Sequence, residues 1–73
     1  MNPTVERLEV KVNGFLVGRL GFRRIEENIN SVVEGDLLPL GKYNVGCLRL
    51  KIMLHTKMRE RYGEGAKIEY NFY

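Results

Sequence analysis

The segment from Tyr43 to Leu54 constrains the fold more than any other part of the chain, because its side chains alternate in character. Every second side chain of its later half is branched and apolar: Leu48, Leu50, Ile52 and Leu54. The side chains between them form a more polar set: Cys47, Arg49, Lys51 and Met53. A period of two is typical of a β-strand with one face in the core and the other in water. The pattern therefore predicts a central strand with a basic outer face.

Chain length and cysteine content limit how such a strand can be stabilised. The 73 residues predict a single domain over residues 1–73, with a core thin enough to be one sheet covered by one helix. Cys47 has no second cysteine to pair with, which suits a reducing compartment. No apolar run approaches the roughly 20 residues of a membrane helix, and the opening residues lack a signal-peptide pattern. We therefore expect a cytoplasmic protein without a membrane partner.

The opening of the chain predicts a β-hairpin over residues 6–22, after a lead-in at residues 1–5. Asn13-Gly14 separates two apolar runs, and this dipeptide suits a type I′ turn, which needs positive φ at both central residues. A two-residue loop predicts three pairs on the buried face: Val12 with Phe15, Val10 with Val17, and Leu8 with Arg19. Gly18 and Gly21 predict a bulge or a close backbone approach.

The apolar period changes over residues 23–34 and predicts the helix. One helical stripe collects four apolar side chains: Ile25, Ile29, Val32 and Val33. Glu26 and Glu27 suit the first turn of such a helix, and Gly35 is a suitable stop. Pro39 and Gly41 then predict a connection, whose leucines are expected to pack over the end of the sheet: Leu37, Leu38 and Leu40.

The last third of the chain leaves one alternative open. Residues 55–66 fit a short helix capped by Thr56, and they fit equally a strand that continues into a hairpin turning at Gly63-Glu64-Gly65. The hairpin is slightly favoured, because residues 67–73 alternate as a strand does. The predicted fold is therefore α+β, a small antiparallel sheet in β-β-α-β-β order packed against one helix.

Few residues offer chemistry for catalysis. His55 follows an apolar stretch without a neighbouring acid, and Cys47 has no adjacent base, so both are predicted to be structural. Zinc, Walker and Rossmann spacings are missing from the sequence. We therefore expect no enzyme activity, no metal and no cofactor.

Surface recognition is the remaining class of function. Residues 42–73 carry seven Lys and Arg against three Asp and Glu, whereas residues 1–41 carry five against six. On a continuous strand the basic residues would form one stripe, interleaved with tyrosines. The predicted partner-binding residues are Arg49, Lys51, Lys57, Arg59, Arg61, Tyr43 and Tyr62. Basic and aromatic side chains suit single-stranded nucleic acid and equally a protein interface, and an exposed edge strand could pair with a partner segment.

Taken with its length and basic balance, the opening MNPTVERLEVKVNG resembles the small transcription regulators of lytic Xanthomonas phages that bind host RNA polymerase. The resemblance implies binding near the amino terminus of the polymerase β′ subunit, in the host bacterial cytoplasm. It further implies inhibition of initiation through interference with σ factor, together with antitermination. The alternative that the residues leave open is a small basic nucleic-acid-binding domain.

Overall fold

The structure, a computed structural model, describes residues 4–73 as one antiparallel sheet with one helix on its face. The elements in chain order are β1 (Glu6–Val12), β2 (Phe15–Glu26), β3 (Ile29–Gly35), β4 (Gly41–Tyr43), α1 (Cys47–Tyr62) and β5 (Ile68–Phe72). The strands lie side by side in the order β4-β3-β2-β1-β5. The predicted α+β class, an antiparallel sheet packed on one helix, is confirmed. The lead-in prediction for residues 1–3 lies outside the described residues.

The order of elements differs from the predicted one, because the helix lies between the fourth and fifth strands. The helix predicted over residues 23–34 is wrong: this segment contains the end of β2, a two-residue turn and most of β3. Its apolar residues are β-branched, which favours strands. Ile25 and Val33, two members of the predicted stripe, are bulge residues without a cross-strand partner, and both are exposed.

The central strand predicted from Tyr43 to Leu54 is also wrong, because β4 ends at Tyr43 and α1 begins at Cys47. Alternating leucines also contain a helical spacing, and Leu50, Leu54 and Met58 form the buried side of α1. Sixteen residues without Gly or Pro, rich in Leu, Arg, Lys and Met, favour a helix over so long a run. Residues 55–62 are helical, so the favoured hairpin is wrong, but they are the end of α1 and Thr56 lies inside the helix instead of capping it. Gly63-Glu64-Gly65 connects α1 to β5.

The predicted opening hairpin is confirmed, with one shift in register. Asn13 and Gly14 have φ of 51° and 85°, as a type I′ turn requires. Val12 pairs with Phe15 as predicted, although Phe15 is exposed and its predicted burial is wrong, and an extra residue at Val17 follows. The remaining two predicted pairs are therefore wrong: Val10 pairs with Gly18, and Leu8 with Leu20. The bulge turns Leu20 inward and leaves Arg19 exposed.

The core lies between α1 and one face of the sheet. Its fully buried side chains come from three strands, the helix and the connection after β3: Leu8, Val10, Val12, Leu20, Phe22, Val32, Leu37, Leu38, Leu50, Leu54 and Met58. Leu37 packs against Gly18, where a Cβ would overlap it, so the predicted close approach at this glycine is confirmed. Leu40 is 64% exposed, which overturns its predicted packing.

A buried amide positions the start of the helix. Asn30 of β3 is completely buried, and its Nδ2 donates to the carbonyl of Val45 at 2.8 Å. This bond ties the segment between β4 and α1 to the sheet. Within residues 4–73, no helix has both the length and the apolar composition needed to cross a membrane.

Candidate partner-binding surfaces on the helix

The helix carries six of the seven predicted partner-binding residues, and Tyr43 is the exception. Tyr43 lies in β4, half-buried against the core, and its hydroxyl donates to the carbonyl of Pro39 at 2.6 Å. Its ring therefore holds the connection between β3 and β4. Only part of the tyrosine surface remains for a partner.

The helical period divides the basic residues that a strand would have aligned. Residues separated by three or four positions share a side of a helix. Arg49 and Lys57 therefore lie on one side of α1, whereas Lys51 and Arg59 lie on the side that contacts β5. The predicted single basic stripe is wrong, and the helix has two distinct surfaces in its place.

The first surface is an open groove, which we call the outer groove. It is lined by Leu38, Arg49, Ile52, Met53, Thr56, Lys57 and Glu60. Ile52 is 48% exposed, and Leu48, one turn earlier on α1, is 73% exposed. This side of the helix therefore combines two accessible aliphatic side chains with basic ones.

The second surface is a small pocket between α1 and β5, which we call the edge pocket. It is lined by Leu8, Lys51, Leu54, Tyr70 and Phe72, and it has a volume of about 150 Å³. The Lys51 Nζ lies 5.0 Å from the centre of the Phe72 ring, within the range of a cation–π contact. The lining is otherwise apolar, so the pocket suits one aliphatic group beside an ammonium group.

A hydrogen bond joins His55 of α1 to Tyr70 of β5 on the side of the helix that carries the edge pocket. His55 Nδ1 lies 2.5 Å from the Tyr70 hydroxyl, and the two rings are tilted against each other. Burial raises the pKa of Tyr70, and the positive charge of Arg59 acts in the opposite direction. His55 therefore has a hydrogen-bond partner on β5.

Arg59 holds the segment that follows the helix. Its Nη1 donates to the carbonyl of Glu64 at 2.7 Å and to that of Ala66 at 2.9 Å. The Arg59 carbonyl in turn accepts the N–H of Gly63 at 2.9 Å. The guanidinium is thus engaged by its own chain. Arg59 is therefore a predicted site residue whose charged group stabilises the fold through hydrogen bonds to two backbone carbonyls.

Replacing Arg59 with alanine is expected to lower the free energy of unfolding by about 1 to 2 kcal/mol, because two carbonyls lose a charged donor. Urea denaturation followed by circular dichroism measures the loss. Arg49→Ala removes the same side chain from an exposed position of α1, and we expect it to change stability by less than about 0.5 kcal/mol. Equal effects of the two variants would contradict the structural role of Arg59.

Two residues of the candidate surfaces were assigned to the core by the predicted strand. Leu48 and Ile52 are exposed on α1, because the helical period places Leu50, Leu54 and Met58 inward instead. The signal that could have located them is this spacing of i, i+4 and i+8. Arg61 and Tyr62, in the last turn, are exposed, and Arg61 suits the negative end of the helix dipole.

No protein-family model, no curated protein and no solved structure matches this chain. Within residues 4–73, no three His, Cys, Asp or Glu side chains lie close enough together to hold a metal ion.

Proposed function

We propose that this protein is a phage transcription regulator that binds bacterial RNA polymerase through the outer groove and acts without catalysis. The observation that carries the proposal is the exposure of Leu48 and Ile52 beside the basic residues Arg49 and Lys57. The resemblance of the opening sequence to phage regulators supplies the partner. The proposed contact is near the amino terminus of the β′ subunit, in the host cytoplasm.

The apolar residues would supply most of the affinity in this mechanism. Fully burying an exposed aliphatic side chain stabilises a complex by about 1.5 to 3 kcal/mol, and Ile52 is already about half covered. Residues of this kind at the centre of a contact are where binding energy concentrates, whereas charges at the rim mainly accelerate association. Arg49 and Lys57 would therefore orient the protein on an acidic surface of the polymerase.

Regulation would follow from occupancy of the polymerase surface. Docking of the small sheet with its packed helix would interfere with σ factor at initiation. The same bound protein, retained during elongation, would act as an antiterminator. Neither effect requires a reacting group on this chain.

A direct nucleic-acid binder is the second candidate, and the cluster of basic side chains on α1 favours it. Arg49, Lys57 and Arg61 are available for phosphate contacts, whereas Arg59 is hydrogen bonded to its own chain. The exposed Leu48 and Ile52 interrupt the basic surface and favour a protein partner instead. Binding to duplex DNA would weaken with salt by a slope of about 0.9 for each phosphate neutralised.

Ile52→Glu is expected to weaken binding to purified, nuclease-treated bacterial RNA polymerase by about tenfold or more, which corresponds to about 1.4 kcal/mol. A carboxylate at this position would lose its hydration in the complex, and an acidic partner surface would repel it. Ile25→Glu is the matched control, because Ile25 is 44% exposed in β2, a similar fraction to Ile52. We expect the control to bind as the unmodified protein does.

Biolayer interferometry with immobilised polymerase measures both affinities, and circular dichroism establishes that both variants are folded. Equal affinities for the two variants would exclude the outer groove as the binding site. A protein that retains no polymerase after nuclease treatment, but binds DNA with a steep salt dependence, would establish the nucleic-acid alternative.

A further inference from the structure

The strand β5 lies at one edge of the sheet and offers its backbone to a partner. It pairs with β1, and within residues 4–73 no strand pairs with its other edge. The N–H of Tyr73 donates to the carbonyl of Arg7 at 3.0 Å, and the carbonyl of Lys67 accepts the N–H of Asn13 at 2.8 Å. Odd-numbered residues of this strand therefore direct their backbone groups toward β1.

The alternation of antiparallel pairing then determines which groups are free. Backbone groups of the residues between those pairs point away from β1. The free edge thus presents the N–H and C=O groups of Ile68, Tyr70 and Phe72. These are the residues whose side chains face α1, because their partners on β1 include the buried Leu8 and Val10.

This edge carries one charged residue, Glu69, but lacks three other features that commonly prevent pairing. β5 contains no proline, and its five pairs with β1 run without a bulge. Proteins commonly protect an edge with proline, a bulge or a very short strand. The opposite edge shows such protection, since β4 has three residues. A regular edge of this kind is suited to the addition of a further strand.

The edge pocket lies beside this strand and determines what side chain an added strand would carry. Directly opposite residues of paired strands share a face of the sheet. A residue opposite Tyr70 or Phe72 would therefore face α1 at the mouth of the pocket. The pocket volume of about 150 Å³ is similar to that of an apolar cavity that binds benzene. One leucine or isoleucine side chain fits this space.

The charge beside the pocket indicates which further side chain the added strand would carry. Lys51 is exposed at the pocket and forms no ion pair with any residue in the range 4–73. A carboxylate in the added strand would supply that partner. A second copy of this chain is disfavoured, because two-fold pairing of β5 with itself would bring the Lys51 and Arg59 sides of the two helices together.

We propose that β5 binds an extended acidic segment of a protein partner by strand addition, with an aliphatic side chain in the edge pocket and a carboxylate beside Lys51. The inference deepens the proposed function, since it describes a second contact with a protein partner. Its site is separate from the outer groove, because the two lie on different sides of α1.

The probe is a synthetic capped peptide, Thr-Glu-Thr-Leu-Thr-Glu-Thr, which places leucine between two glutamates on one face. Titration into ¹⁵N-labelled protein is expected to shift the amide signals of Ile68, Tyr70 and Phe72 and to slow their hydrogen exchange. N-methylation of the leucine amide is expected to abolish these changes, because that amide would donate to β5. A peptide with lysine in place of both glutamates is expected not to bind.

Lys51→Glu is expected to lower the affinity for the peptide by about fivefold, which corresponds to the upper range for an exposed ion pair. Lys42→Glu changes the net charge equally at the opposite edge of the sheet and is expected to leave peptide affinity unchanged. Dispersed spectra of both variants establish that they are folded.

Three results would overturn the inference. They are equal binding of the N-methylated peptide, amide shifts confined to the outer groove, and no shift at millimolar peptide. Shifts of the same β5 amides with protein concentration alone would assign the edge to a second copy instead. Loss of polymerase binding in Ile52→Glu, together with failure of the peptide, would leave the proposed function standing and remove this inference alone.

Discussion

Replacing Phe22 with alanine is expected to remove about 3 to 5 kcal/mol from the free energy of unfolding, as buried phenylalanine truncations do. Phe22 lies in β2, near the middle of the sheet, and is completely buried. A domain of 73 residues has a total stability of about 4 to 11 kcal/mol at ordinary values per residue. The variant is therefore expected to be largely unfolded at 37 °C if the domain lies at the lower end of this range.

Thermal and urea unfolding followed by circular dichroism measure this loss. Phe15→Ala is the matched control, because Phe15 lies in the same strand and is 76% exposed. We expect the control to change stability by less than about 0.5 kcal/mol. A loss at Phe15 as large as that at Phe22 would contradict the description of the core.

Gly35→Ala is expected to lower the free energy of unfolding by about 2 to 5 kcal/mol, because two effects add at one position. Gly35 has φ of 99°, where an L side chain is strained by about 1 to 2 kcal/mol. A Cβ there would also overlap the backbone carbonyl of Arg19, and such overpacking typically costs about 1 to 3 kcal/mol. The Arg19 carbonyl cannot move away easily, because it accepts a hydrogen bond from the N–H of Asp36 at 3.1 Å.

Gly63→Ala separates the two effects. Gly63 has φ of 88°, but an added Cβ would have no heavy atom within 4 Å beyond its chain neighbours. Gly63 has ψ of 161°, a backbone region that essentially only glycine adopts, so its expected loss is the conformational strain alone, about 1 to 3 kcal/mol. Urea denaturation of both variants gives the difference. Equal losses would show that Arg19 and Gly35 do not approach as closely as the structure describes.

Local chemistry made the opening hairpin predictable. Asn13-Gly14 selects its turn through backbone conformation alone, and the two residues adopt the positive φ that this turn needs. The last strand was predictable for a similar reason, since Ile68 and Tyr70 alternate with polar residues, and the register with β1 places these two on the face that carries the core. Gly18 predicted an irregularity at this point of β2, but the register around Val17 was not predictable, because the sequence alone does not show which residue is left without a cross-strand partner.

The candidate site was predicted in residue type but not in arrangement. Arg49, Lys57 and Tyr62 are exposed or half-exposed on α1, whereas Arg59 is committed to two carbonyls. A strand period would have placed the basic residues in one row, and the helical period separates them onto two sides. The exposure of Leu48 and Ile52 could not be recognised, because each fits the buried face of a strand as well as the outer side of a helix.

The sequence by itself determined the α+β class, the opening hairpin, the last strand and the basic character of the second half, because each depends on composition or on neighbouring residues. Only the tertiary structure decided which apolar segment became the helix. Residues 23–34 and 43–54 each fit both periods over a short window. Packing resolved the choice: the first segment completes the sheet as the end of β2 and most of β3, and the second covers the apolar face of the sheet with Leu50 and Leu54. The groove and the pocket on either side of α1 exist because of that choice.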